Sequence, residues 1–127
     1  MSQHYFPTIY QGRSVTVVVG FDRPLRGFFC FVERNDAEEQ EEEFVYSNLD
    51  DPKLFGSMGM ARTLKHFEKR LADLGFVVPR SMFAEAEADQ RFNVGNRCVW
   101  HDGKGVLHNA ATDWCSGRTI SNSTNRG

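Results

Sequence analysis

Along the first half of the chain, apolar and polar positions alternate with a period of two. Val15, Val17, Val19 and Phe21 share one side and Thr16, Val18 and Gly20 the other, the pattern of a strand with one face in a core. Tyr5, Phe6, Ile9 and Tyr10 predict a strand before it, joined through a turn at Gln11-Gly12. Asp22-Arg23-Pro24 ends the second strand, because proline has no N–H to give to a ladder. Arg26 to Glu33 is apolar on both faces, as a central strand covered on two sides must be. Phe44, Val45 and Tyr46 predict a fourth strand after an exposed loop, which completes a four-stranded meander.

Near residue 50 the period changes. Met60, Leu64, Phe67, Leu71 and Leu74 recur at helical spacing, which predicts a helix over roughly residues 59–74 with Ser57 as its cap. Gly75 supplies the left-handed stop, and Phe76 can fold back on the apolar stripe. Asp51-Pro52 starts a short helical turn of its own. A second, shorter helix opens at Pro79 or Ser81 and runs through Met82, Phe83 and Ala86 to about Asp89, with Glu85, Glu87 and Asp89 expected toward solvent. Residues 97–101 and 105–108 are expected to pair as a last hairpin across Asp102-Gly103. From Ala110 onward only Trp114 and Ile120 are large and apolar, so residues 110–127 are expected to be a disordered tail. The fold class expected is α+β. A single domain over residues 1–109 carries an antiparallel sheet of about four strands, one main helix packed on a face, a short second helix and a C-terminal hairpin.

Composition narrows the function classes more than it selects one. The chain has 127 residues, 40% hydrophobic and 25% charged, with a formal net charge of −2, so one apolar core suffices and no global field attracts DNA or an anionic membrane. Nucleic acid is therefore not an expected partner. No stretch approaches the roughly 20 apolar residues that a spanning helix needs, and three widely spaced cysteines, Cys30, Cys98 and Cys115, fit a reducing compartment. A soluble, cytoplasmic protein of bacterial type is expected, without cofactor.

Three candidate sites can be read from side-chain chemistry. Asp36, Glu38, Glu39, Glu41, Glu42 and Glu43 put six carboxylates into eight residues, which can meet a basic partner or simply keep a hairpin loop solvated beside an edge strand. Asn93, Asn96, Arg97, His101 and Asp102 surround a glycine-containing loop whose donors could hold an anion; turn chemistry explains the same asparagines. Cys98, His101, His108 and Cys115 are soft ligands that could surround zinc, but Cys98 and His101 are three apart on an expected strand and so point to opposite faces. No metal site is expected.

For catalysis the nearest pairings are His101-Asp102 and His66-Phe67-Glu68. Neither places a base beside its orienting carboxylate, because neighbouring strand residues face apart and His66 flanks the apolar stripe of its helix. The expectation from sequence is thus a small non-enzymatic accessory protein acting through protein–protein contacts. A small enzyme or anion-binding protein using residues 93–102 and a zinc-binding module are the alternatives.

Overall fold

The computed structural model describes residues 1–104 in full and residues 107–109 as backbone. Six strands form one sheet: β1 (Ser2–Tyr10), β2 (Arg13–Asp22), β3 (Gly27–Arg34), β4 (Phe44–Ser47), β5 (Arg97–His101) and β6 (Leu107–Asn109). Their spatial order is β4-β3-β2-β1-β5-β6. The first four strands follow the meander read from the sequence, and the class is α+β. The count of four is corrected. The C-terminal hairpin continues the same sheet, because β5 lies parallel to β1, with Ser2 opposite Arg97 and Tyr5 opposite Trp100, and so satisfies the backbone edge that β1 would otherwise leave open.

The turns follow local chemistry. Gln11 and Gly12 both have positive φ, 53° and 80°, the two-residue connection whose twist matches that of the strands. Asp51 caps a short 3₁₀ turn, Pro52–Ser57, by accepting from the Lys53 amide at 3.0 Å. The first α-helix, α1, covers Lys65–Asp73 rather than 59–74. Ser57 does not cap it: its hydroxyl donates to the carbonyls of Leu54 and Met60, while Ala61 bridges to Phe28 on β3. At its other end Gly75 (φ 93°) carries the chain out, the Phe76 amide reaching the Leu71 carbonyl at 2.9 Å and the Gly75 amide the Ala72 carbonyl at 3.0 Å, a complete Schellman motif. The second helix, α2, is Arg80–Arg91, and it ends the same way: Asn93 (φ 54°) takes the left-handed place while the Val94 amide bonds the Asp89 carbonyl at 2.8 Å.

Both helices cover one face of the sheet. Phe67 and Leu71 of α1, Leu64 before it, and Met82, Phe83 and Ala86 of α2 share a core with Val15, Val17, Val19, Phe28 and Cys30. This places the α1 stripe where its spacing predicted. Met60 leaves that stripe and packs with Tyr5, Val18, Phe29 and Cys98 on the opposite face. Gly20 on β2 is needed there, since a methyl group on it would collide with the Ser2 carbonyl and the Phe29 ring. Among the described residues no helix is long and apolar enough to cross a membrane. The expected tail, residues 110–127, lies outside the described residues.

Candidate functional site

Two buried aspartates organise the polar interior, and each draws in a histidine and an arginine. The first centre forms where α2 crosses β1 and β5. Strand alternation turns Ser2 and His4 of β1 and Arg97 and His101 of β5 to the helix-covered face. Ser81, Glu85 and Asp89, four residues apart on α2, form the stripe that meets them. His4 Nε2 lies 2.6 Å from Asp89 Oδ2, His4 Nδ1 lies 2.9 Å from His101 Nε2, and His101 Nδ1 lies 2.8 Å from Ser81 Oγ. Arg97 closes the group, donating to Asp89 Oδ1 at 2.8 Å and to Glu85 Oε1 at 2.7 Å. His4, His101 and Asp89 are at most 1% exposed, while Ser81 is half-buried.

The electrostatics follow from burial and partners. Burial alone would raise the Asp89 carboxyl, but hydrogen bonds from His4, Ser2 and Arg97 outweigh it and hold the group below its ordinary range. Burial, reinforced by the neighbouring His4, lowers His101 to about 4. Asp89 was expected toward solvent and is instead buried; the guanidinium and imidazole it meets offset the cost of bringing its charge inside.

The second centre is Asp51, between β4 and α1. Its carboxylate accepts from Tyr46 Oη at 2.7 Å and from His66 Nε2 at 2.7 Å, with Arg70 Nε at 3.4 Å. Burial pushes this carboxyl up, yet the bonds from Tyr46, His66 and the Lys53 amide bring it down to about 2. Burial and the Asp51 carboxylate together push the Tyr46 hydroxyl well up. Here both partners stay near water, His66 at 24% and Arg70 at 34% exposure. Arg70 borders a groove of about 380 Å³ that is also lined by Phe44, Val45, Tyr46 and Leu74 and by the carboxylates of Glu42, Asp50 and Asp73.

The acidic loop runs into this groove. Arg13 pairs with Glu41 and, at 3.2 Å, with Asp36; its hydrogen bond brings Glu41 down to about 2. Glu38, Glu39, Glu42 and Glu43 make no ion pair with a described residue.

Of the loop residues singled out for anion binding, the structure brings Arg97 and His101 into the α2 network, sets Asp102 beside His101 and leaves the two asparagines outside it. Asn93 ends α2, Asn96 is exposed, and Asp102 accepts from the Lys104 amide at 2.9 Å. Both terminal nitrogens of Arg97 already face carboxylates. Of the zinc set, Cys98 and His101 stand on opposite faces, and Cys115 and the His108 side chain lie outside the described residues. Among the described residues no group of three or more His, Cys, Asp or Glu is placed to hold a metal ion.

Sequence reasoning missed His4, Ser81 and Asp89. Two signals were present: a histidine between Tyr5 and Ser2 on a core-facing strand position, and a polar stripe at four-residue spacing on the side of α2 next to Met82 and Ala86. Comparison with protein-family models, with curated proteins and with solved structures gives no match for this chain.

Proposed function

We propose that this protein is an interaction module that binds a basic, partly apolar segment of a partner protein along the groove between β4 and α1. The groove itself carries the reading: an apolar floor that can seat one side chain, an acidic rim, and the carboxylates of the adjoining loop that pair with no described residue. β4 is also the edge of the sheet and only four residues long, so an extended segment can lie along it while its apolar anchor enters the groove. The pairing of Asp73 with Lys69 at 3.4 Å joins two exposed groups and contributes little to hold that carboxylate back.

The test is titration of the protein with a fluorescein-labelled Lys-Arg-Leu-Lys-Arg peptide. Saturable binding that weakens as salt is raised is expected, because exposed charges beyond about 10 Å are screened at 0.1 M salt. Reversing Glu42 and Asp73 to Lys should weaken it at least tenfold, while Glu87→Lys on the exposed side of α2 leaves it unchanged. No binding, or equal losses from both changes, overturns the reading.

A further inference from the structure

The α2 network is a separate centre, and it takes no part in the binding reading. Its hydrogen bonds run in one line from a partly exposed hydroxyl to a buried carboxylate: Ser81 Oγ, His101 Nδ1 and Nε2, His4 Nδ1 and Nε2, Asp89 Oδ2. The direction of that line is fixed at its buried end. A carboxylate only accepts, so His4 Nε2 carries the proton it shares with Asp89. With the two rings neutral, His4 Nδ1 must accept from His101 Nε2–H, and His101 Nδ1 must accept from the Ser81 hydroxyl. A single chain of donors then points from serine to aspartate. From this geometry we propose that Ser81 is a nucleophile, activated through the His101–His4–Asp89 chain, that attacks the acyl carbon of small activated esters.

Charge counting supports the direction. Asp89 and Glu85 share one permanent cation, Arg97, which leaves one unit of negative charge in the pair of carboxylates for an imidazolium to neutralise when it forms. A proton leaving Ser81 enters at His101 Nδ1, and the His101 Nε2 proton crosses to His4 Nδ1. The positive charge thus comes to rest on His4, 2.6 Å from the Asp89 carboxylate. The low affinity of buried His101 for a second charge does not block the step, because His101 passes the charge on. Ser81 is in the first turn of α2, whose positive end favours the negative charge that develops on the attacked carbonyl. In the reaction the Ser81 Oγ–acyl carbon bond forms, the ester C–O bond breaks, and the leaving alcohol takes the proton back through His101 Nδ1. Water then attacks the acyl-serine, gives a proton to the same nitrogen, and releases the carboxylic acid as Ser81 regains its hydrogen.

The groups that face the imidazole pair are Ser81, Glu85 and Asp89 from α2, Arg97 from β5, and Asp102 just beyond it. Protonation of the pair reverses the donor chain, leaving His101 Nδ1–H pointing at Ser81 and no acceptor for its hydrogen. The experiment treats the full chain with a fluorophosphonate, which loses fluoride as the serine–phosphorus bond forms, and maps the adduct by mass spectrometry. One adduct per chain at Ser81 is expected, forming at least a hundredfold faster than at exposed Ser14. Ser81→Ala should remove it while leaving the circular dichroism spectrum intact. p-Nitrophenyl acetate hydrolysis should fall with it. An adduct elsewhere, none at all, or one at Ser81 no faster than at Ser14 overturns the proposal, and because both rates come from the wild-type chain this comparison holds whether or not the variant folds.

Discussion

Asp89 and Asp51 are each 1% exposed, and each holds a histidine and a partly exposed arginine, yet the two centres differ in where their histidines stand. At Asp89 the histidine is itself fully enclosed and its far nitrogen meets a second imidazole. At Asp51 the histidine and the arginine both reach toward water, the arginine along a groove. The same three residue types therefore make an enclosed line of hydrogen bonds in one place and a carboxylate ringed by half-exposed partners in the other. Burial of the partner decides which. An enclosed imidazole has nowhere to turn when its aspartate is lost, whereas a half-exposed one recovers solvation.

That difference sets the largest expected effect. Asp89→Ala strands the fully enclosed His4, while Arg97 keeps Glu85, and should cost about 3–5 kcal/mol, the range for removing one partner of a buried pair. Asp51→Ala leaves His66 and Arg70 able to rehydrate and should cost about 1–2 kcal/mol. Urea denaturation of the two variants compares them directly, and equal losses would erase the distinction drawn between the centres.

The centres should also fail at different acidities. His101 has a folded value of about 4 against an ordinary 6.5, so between those values the unfolded chain binds a proton that the folded chain refuses. The stability at stake is fully present above pH 6.5 and is lost as the pH falls toward 4, by up to about 3 kcal/mol. Asp51 shifts from 3.8 to about 2. Its contribution, about 2 kcal/mol, is present above pH 3.8 and goes only as the pH falls toward 2. Stability curves from about pH 7.5 to about pH 2 should show two limbs, with His101→Gln flattening the upper one alone. A flat profile over the upper limb contradicts the burial argument at His101.

The smallest effect sharpens the groove side. Tyr46→Phe removes the 2.7 Å bond to Asp51 and keeps the ring that packs edge-on toward Phe67, so about 1 kcal/mol should be lost. Thermal melts resolve that change, and a loss as large as that of Asp51→Ala would make Tyr46 rather than the imidazole the main support of the carboxylate.

The two centres were unequally legible in the sequence. The acidic run and the Asp51-Pro52 cap are local patterns, and the apolar periods disclosed the meander, the face covered by α1 and its glycine stop. The α2 network is not local. His4 and Asp89 are joined because α2 packs across β1, and His101 and Arg97 join them because β5 returns beside β1, a pairing between residues as distant in the chain as Ser2 and Arg97 that no period announces. The start of α1 departs from its apolar period for a related reason: Met60 has helical spacing, but the Phe28–Ala61 bridge pulls its segment onto the sheet. His101-Asp102 is no dyad, since neighbours face apart, yet His101 is half of a buried contact whose partners, His4 and Ser81, stand on other elements.

The parallel pairing of β5 with β1 also orders events in time. β1 to β4 can zip up in sequence as soon as they leave the ribosome, each against its neighbour. The free side of β1 must then stand bare until the chain has been made as far as Arg97, a vulnerable interval for any chain with an open strand edge. His101 reaches His4 and Ser81 only when that interval closes. Completion of the hydrogen-bonded line is therefore a report that the sheet has been assembled through β5, and a chain stopped short of Arg97 would carry the groove and the His4–Asp89 pair but not the imidazole that joins them to Ser81.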